Sequence, residues 1–484
     1  MRVHVQETAC ACSPQSLARR LQGELGVVLL SSGGFDASQG RYSFVTARPF
    51  LTLRSFGTRC ELDDSHGPRI ESGNPWAILG RLLDEFDLPG EPDQPFPLGG
   101  VFGWWGYDLK NFVEPCLPRR AVNDLPLPDC AVGFYDSLVV FDHRLGKSWI
   151  VSTGLGADGA RCERRQQSQM EFWQEKLAPA PNAVLPQPSV AGQPSLESAH
   201  PPVPRPHLPT PALSTFSRPA FLAAVERAQL YIQAGDIYQV NLSQRLTAPW
   251  SGSGWDFFER LEAVSPAPFA AYLDGGSFQL ASSSPELFLR LSGTHIRTRP
   301  IKGTRPRSAD PDRDAQLSYE LQTSPKEMAE LVMITDLLRN DLGKVCAYGS
   351  VRVPELARLE RFAHVQHLVS TVEGRLRPET THLDALAACF PGGSITGAPK
   401  IRAMEIIDEL EPVARGPYTG CLGYLGFNRE SQFSIIIRTA LCVGGQVHFH
   451  VGAGIVADSS PEAEYEETLA KAGGFREALQ AVAG

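Results

Sequence analysis

Ala234-Gly235-Asp236-Ile237-Tyr238-Gln239-Val240-Asn241-Leu242-Ser243-Gln244-Arg245 closes one helix and opens the half of the chain in which strands and strong helices mix. Residues 221–234 read as that helix. Gly235 is its C-cap, because glycine enters the left-handed conformation there without a Cβ penalty. Downstream, Ser324-Pro325-Lys326-Glu327 sets Ser at the cap, Pro at the first helical position and Glu at the third. This is a capping box, and it predicts a helix to about residue 339. Residues 399–410 and 461–481 also start with proline after small or polar residues and read as helices. Phe433-Ser434-Ile435-Ile436-Ile437 and Gln446-Val447-His448-Phe449-His450-Val451 read as strands.

Upstream, the composition breaks. Residues 179–219 hold 12 prolines in 41 positions, and only Glu197, Arg205 and Arg218 are charged. Proline lacks the N–H donor and fixes φ, so an extended linker or surface insertion is expected, without helix or central strand. It divides an N-terminal β-rich region, 1–178, from a C-terminal region, 220–484. In the first, Val27-Val28-Leu29-Leu30, Tyr42-Ser43-Phe44-Val45, Phe50-Leu51-Thr52-Leu53, Ser137-Leu138-Val139-Val140-Phe141 and Trp149-Ile150-Val151 read as strands. Residues 99–107 are glycine-aromatic: glycines let backbones approach while the rings fill a core.

The 484 residues are 42% hydrophobic and 20% charged, and 45 Lys+Arg against 54 Asp+Glu leave a net charge of −9. This is a soluble globular composition that argues against nucleic-acid or anionic-membrane binding. No apolar run reaches the length of a membrane span, and residues 1–7 lack the apolar stretch of a signal peptide; a cytoplasmic location is expected. Ten scattered cysteines without a CxxC predict reduced thiols rather than a disulfide framework or zinc site.

Several motifs carry chemistry. Gly452-Ala453-Gly454-Ile455-Val456-Ala457 fits GxGxxA between a strand and a helix, but no second strand with an acidic residue follows, so the dinucleotide reading is set aside. What remains is backbone: glycines before a helix start can aim N–H groups at a carboxylate. Pro391-Gly392-Gly393-Ser394-Ile395-Thr396-Gly397-Ala398-Pro399-Lys400 imitates a phosphate loop with Ala-Pro where Lys-Ser/Thr belongs. It is either a tight turn or an anion cradle. Glu330 sits among Met333, Ile334 and Leu337 on a helix expected to be buried; a buried carboxylate marks a structural ion pair or a metal ligand. Glu464, Glu467 and Lys471 form either a solvated helix face or part of a magnesium site shared by two carboxylate helices. Lys302, in Thr298-Arg299-Pro300-Ile301-Lys302-Gly303-Thr304-Arg305, belongs to an exposed basic loop or is a nucleophile. In the second case Arg299, Arg305 and burial would disfavour its ammonium form.

Together these residues resemble the chorismate-utilising enzymes, the family of anthranilate synthase component I, aminodeoxychorismate synthase component I and isochorismate synthase. The match runs through residues 234–245, Ser282-Ser283-Ser284-Pro285-Glu286, Pro300-Ile301-Lys302-Gly303-Thr304, Asp336-Leu337-Leu338-Arg339-Asn340-Asp341, His367-Leu368-Val369-Ser370, 391–400, Gly452-Ala453-Gly454 and Glu464-Tyr465-Glu466-Glu467-Thr468. Gly40-Arg41-Tyr42-Ser43 and residues 99–107 extend it into the N-terminal region. The resemblance implies an α/β (α+β) fold, a two-sheet β core wrapped by helices, to which both halves contribute. Pro-Ile-Lys-Gly-Thr, with lysine where anthranilate synthases usually carry alanine, implies the aminodeoxychorismate synthase branch. That activity converts chorismate and ammonia to 4-amino-4-deoxychorismate on the folate (4-aminobenzoate) route. Anthranilate synthase and a non-catalytic glutaminase scaffold are the alternatives.

The resemblance also implies roles. Lys302 is the nucleophile and Glu286 the general acid. Glu330 and Glu467 hold Mg²⁺, with Glu327 and Glu464 on its waters. Tyr418, Arg438 and the backbone of 452–454, including Ala453, hold the enolpyruvyl carboxylate. Gly303, Thr304, His367, Thr396 and Lys471 line the same pocket. Thr419-Gly420-Cys421-Leu422-Gly423 lacks the first Gly of a glutaminase elbow, so a separate glutaminase subunit is expected to supply ammonia. No fused lyase is expected after Gly484. Leu29-Leu30-Ser31-Ser32 departs from the Leu-Leu-Glu-Ser of feedback-inhibited relatives. A structural tryptophan pocket near Ser32, Tyr42 and Ser43 is implied, without feedback inhibition.

Overall fold

The computed structural model describes residues 1–8, 12–32, 40–88, 91, 94–178, 212–361 and 365–480. Two large antiparallel sheets pack face to face, and each is assembled from both halves of the chain. In the first, the N-terminal strands His4–Thr8, Lys147–Ser152, Ser137–Asp142, Tyr42–Thr46 and Val28–Ser31 are followed by Phe269–Asp274, Gln279–Ser284, Thr439–Val443, Gln446–Ile455 and Gln239–Pro249. The halves join where Leu29 lies opposite Tyr272. In the second, Gly100–Trp105 pairs with Cys421–Gly426, joining the N-terminal strands to those that carry Lys302 and His367.

The glycine-aromatic stretch makes that second joint. Gly103 lies opposite Gly423, and a Cβ at either would run into a backbone carbonyl of the neighbouring strand. The rings between them close the core: Trp104 and Trp105 are fully buried, Phe102 stacks on Tyr424 at 5.4 Å and Phe44 of the first sheet meets Tyr424 edge-on at 5.2 Å. The expected two-sheet α/β core is therefore the observed one.

Three helix boundaries differ from expectation. The helix foreseen over 221–234 begins at Arg218, capped by Ser217 with proline in its first turn, where a missing N–H is harmless. The end of the proline-rich stretch is thus not linker, and Leu213–Ser214 pairs at the sheet edge with Thr247 and Leu246. Residues 179–211 lie outside the described residues. The helix expected over 461–481 is two, Pro461–Lys471 and Gly473–Gln480, broken at Ala472 just before a glycine pair. The helix opened by Ser324 runs on as Pro325–Gly343, but its capping box is half made. Ser324 accepts from the Glu327 N–H, while the Glu327 carboxylate turns to Arg305 at 3.3 Å. Leu331, Ile334 and Leu338 on it are buried and Val332 is exposed, so one face meets water after all. Pro14–Arg20, Pro75–Asp84 and Glu163–Leu177 are helices in the N-terminal half, where mostly strands were expected. Among the described residues, no helix is long and apolar enough to cross a membrane.

Candidate active site

Lys302 stands on the strand Ile301–Pro306, paired with Val365–Arg375. The register slips between Lys302 and Thr304, and Gly303 takes a left-handed φ of 70°. Such a bulge re-aims the side chains beside it. A Cβ at Gly303 would also meet Leu321 at 2.7 Å and Glu327 Oε2 at 2.9 Å, so only glycine lets the helix Pro325–Gly343 approach. Lys302 is therefore not on an exposed basic loop; its side chain is 15% exposed, with Nζ 3.4 Å from Glu330 Oε2. The expected crowding by arginines is absent. Arg299 is bound by Glu360 and Arg305 by Glu327, and the Lys302 amine faces the Glu330 carboxylate.

Glu286 is buried and shares this site. Burial pushes its carboxyl up to about 7, against the opposing pull of the Ser394 hydroxyl, the Lys302 charge and the Ile301 N–H. A carboxyl in that range carries a proton in a large fraction of molecules at neutral pH, as a general acid must. Ser394, which the sequence offered only as part of a glycine-rich turn, brings its hydroxyl here from the short turn Gly393–Ile395.

Gly452, Ala453 and Gly454 correct an expectation. They do not form a turn ahead of a helix; the strand Gln446–Ile455 runs through them, opposite Ser243, Leu242 and Asn241. Their glycines serve as a floor. A Cβ on Gly454 would lie 2.6 Å from Gln239 Nε2 and 3.7 Å from Lys302 Nζ, and one on Gly452 would lie 2.6 Å from Asn241 Oδ1 and 2.9 Å from Tyr418 Oη. Four polar groups thus converge over two missing side chains. Ala453 points the other way, into the apolar cluster with Val225, Val240 and Met404, so only its backbone faces the site's strand pair. Gln239 and Asn241 were not singled out. Their alternation along Gln239–Pro249, facing alternate glycines of the partner strand, is the signal that could have found them. Each has a sealed carbonyl oxygen with no partner among the described residues.

The remaining residues sort by what they touch. Thr304 Oγ1 and His367 Nδ1 are 2.8 Å apart, and burial, aided by the Arg438 charge, lowers His367 to about 4. The imidazole is therefore neutral at physiological pH. Arg438 holds a left-handed φ of 49°; it is open to solvent yet walled closely enough for desolvation to lower its pKa. No carboxylate pairs with it among the described residues, which leaves a cation for an anionic ligand. Tyr418 is clamped between the His450 ring, stacked at 4.8 Å, and the Arg415 guanidinium. Thr396 is spent internally: its hydroxyl donates to the Gly392 carbonyl at 3.1 Å.

The acidic helix Pro461–Lys471 contributes Glu464, which accepts from Ser459 at 2.6 Å, and Glu467, half exposed and 2.7 Å from Lys471. Lys471 also donates to the Gly452 carbonyl at 2.8 Å, tying this helix to the glycine floor. Burial and the neighbouring Glu467 charge both raise Glu464, which marks a local surplus of negative charge. Among the described residues no three carboxylates, imidazoles or thiols are gathered into a cage. Glu327, Glu330 and Glu467 each lie against a basic side chain instead.

A cavity lies apart from this site. Ser32 and Tyr42 line it with Phe44, Pro268 and Gln432. Ser32 N donates to Ser43 Oγ at 3.0 Å, and the Ser32 hydroxyl donates to the Tyr42 carbonyl.

With this geometry in view, comparison with known proteins is direct. Residues 40–477 match the family model described as chorismate binding enzyme. The chain belongs to the chorismate binding enzyme family. It is 41% identical over 444 residues to anthranilate synthase component 1 of Thermus thermophilus, covering 91% of this chain and 90% of that one. It is 40% identical over 447 residues to aminodeoxychorismate synthase component 1 of Escherichia coli, covering 92% and 91%. The crystal structure of anthranilate synthase component I from Streptococcus pneumoniae superposes with a TM-score of 0.75 at 29% identity, over 91% of this chain and 93% of that one.

Proposed function

We propose that this chorismate binding enzyme is component I of an aminodeoxychorismate synthase, aminating chorismate at C4. The observation that carries this reading is the Lys302 amine, set inside the site between the protonatable Glu286 and the carboxylate of Glu330. Relatives named for this activity support it.

The residues divide the work. Arg438, Tyr418 and the glycine floor receive the enolpyruvyl carboxylate, and neutral His367, bound to Thr304, lines the pocket without repelling a cation. The Lys302 amine attacks C2 while Glu286 delivers its proton to the C4 hydroxyl, which leaves as water. Ammonia then attacks C4 and lysine departs from C2. One hard substitution becomes two easier ones. Magnesium is the proposed cofactor. The donors suit it, since magnesium takes one or two carboxylates with waters and an anionic substrate rather than an all-protein cage. Glu330 and Glu467 would hold it, with Glu327 and Glu464 on its waters. There it would neutralise the ring carboxylate and draw electron density from the diene. A second component, a glutaminase, would supply the ammonia, as the component 1 names of the relatives suggest.

Anthranilate synthase is the second reading, favoured by the similarity to the Thermus thermophilus enzyme. Incubation with chorismate, ammonium and Mg²⁺ decides. The proposal expects 4-amino-4-deoxychorismate, and a Lys302 adduct by mass spectrometry when ammonia is withheld. Anthranilate as the product would overturn it.

A further inference from the structure

The helix Pro325–Gly343 carries Glu327 and Glu330 in its first half and Asp341 in its last turn. Asp341 is sealed from solvent, and its carboxylate takes Lys400 Nζ at 2.5 Å and Lys344 Nζ at 3.1 Å. Lys400 also donates to the Cys389 carbonyl at 2.9 Å and opens the helix Lys400–Leu410. Between Cys389 and Lys400 runs the segment that brings Ser394 to Glu286 and sets the Thr396 carbonyl 2.8 Å from Asn241 N. That segment lies on the same helix without slack: a Cβ at Gly393 would stand 2.5 Å from Leu337.

We propose that the Asp341–Lys400 pair is a positioning brace for the proposed amination. It locks residues 389–400 against the helix of Glu330, so that the hydroxyl holding Glu286 and the carboxylates of that helix keep one fixed spacing. Neither residue touches a reacting atom; the brace acts through Ser394. A purely stabilising role does not account for it. Replacing a buried ion pair by apolar groups of similar volume is often neutral or better for stability. What apolar groups lack is direction, and here one carboxylate holds two lysines, one of which also holds a backbone carbonyl, so that two helices are tied together. The inference rests on the reaction proposed above.

The test compares Asp341→Asn, Lys400→Met and the double variant Asp341→Leu/Lys400→Met. The single variants are expected to melt earlier because each leaves one buried group without its short ion-pair partner. The double variant is expected to recover most of the wild-type Tm. Its kcat with chorismate, ammonium and Mg²⁺ should still be at least tenfold low. The basic limb of its kcat profile should move to higher pH, because the Ser394 hydroxyl favours the ionised form of Glu286 and is displaced. In the substrate-free protein, amides of residues 391–399 should exchange at least tenfold faster. Ser394→Ala should move the limb the same way at unchanged Tm. A double variant with wild-type kcat and pH limb, or with unchanged exchange over 391–399, would overturn the brace. If the double variant does not fold, Asp341→Asn carries the test: its loss of kcat and its faster exchange must appear together. If the wild type does not aminate chorismate, the proposed function fails, while the exchange measurement still decides whether the pair locks the segment.

Discussion

Lys302 and Lys400 are both inside the protein and both face a carboxylate, yet they are held in opposite ways. Lys400 is 2.5 Å from Asp341, which is 1% exposed, and it donates a second bond to a backbone carbonyl. Lys302 sits at a bulge, 3.4 Å from Glu330, with both side chains 15% exposed. Burial alone therefore does not separate a structural lysine from the proposed nucleophile. The number and directness of the partners differ: among the described residues the Lys302 amine has one long ion-pair contact, which a substrate could displace more readily than the two short bonds that lock Lys400.

The largest effect should come from removing the loosely held amine. Lys302→Ala is expected to lower turnover on the order of 10³-fold or more and to abolish the adduct, with little change in Tm. Steady-state kinetics and intact mass check this, and unchanged turnover would break the contrast. Next, Glu286→Gln should lower kcat about 10²–10⁴-fold. The wild-type kcat should fall as pH rises through about 7, and the variant should lack that limb. Lys400→Met is expected to act on folding first, with a loss of up to about 3–5 kcal/mol in denaturant titrations, because buried Asp341 keeps only its longer contact to the half-exposed Lys344. A loss near that of Lys302→Ala would erase the distinction.

A fourth test sets Glu286 against another buried acid. Burial also raises Asp136 to about 7, and its Oδ2 has no partner among the described residues. A carboxyl raised in the folded state stabilises it below the unfolded pKa of about 4, and the stability is lost as pH rises through about 7. Asp136→Asn should remove that loss, gaining roughly 1–3 kcal/mol at pH 8 relative to pH 5 without touching kcat. The smallest effect is Ser324→Ala, about 1 kcal/mol of stability, since the hydroxyl caps the helix of Glu330.

Much of this was legible because local chemistry declared itself. Ser324-Pro325 marked a helix start, and the glycine-aromatic run marked a close strand pair. Pro-Ile-Lys-Gly-Thr drew attention to Lys302. What stayed hidden depends on partners remote in sequence. That Arg305 pairs with Glu327 rather than crowding Lys302, or that Ser394 reaches Glu286, is set by how strands and helices far apart in the chain come together. Gly452-Ala453-Gly454 was misplaced for a related reason. Glycines in a strand look like a turn until the facing Gln239 and Asn241 that fill their space are known. The proline in the first turn of Arg218–Gln233 looked like linker because composition does not show which N–H groups a fold needs.

The interleaving of both sheets bears on how the molecule comes into being. Val28–Ser31 pairs early with Tyr42–Thr46 but finds its second neighbour only at Phe269–Asp274, and Gly100–Trp105, paired early with Cys130–Tyr135, finds its second only at Cys421–Gly426. Neither layer can be completed by a nascent chain until nearly the last strand has left the ribosome. Such contact order slows folding and leaves apolar strand edges unsatisfied in the meantime. Newly made copies should therefore spend longer under the care of chaperones than a protein of this size built from consecutive strands.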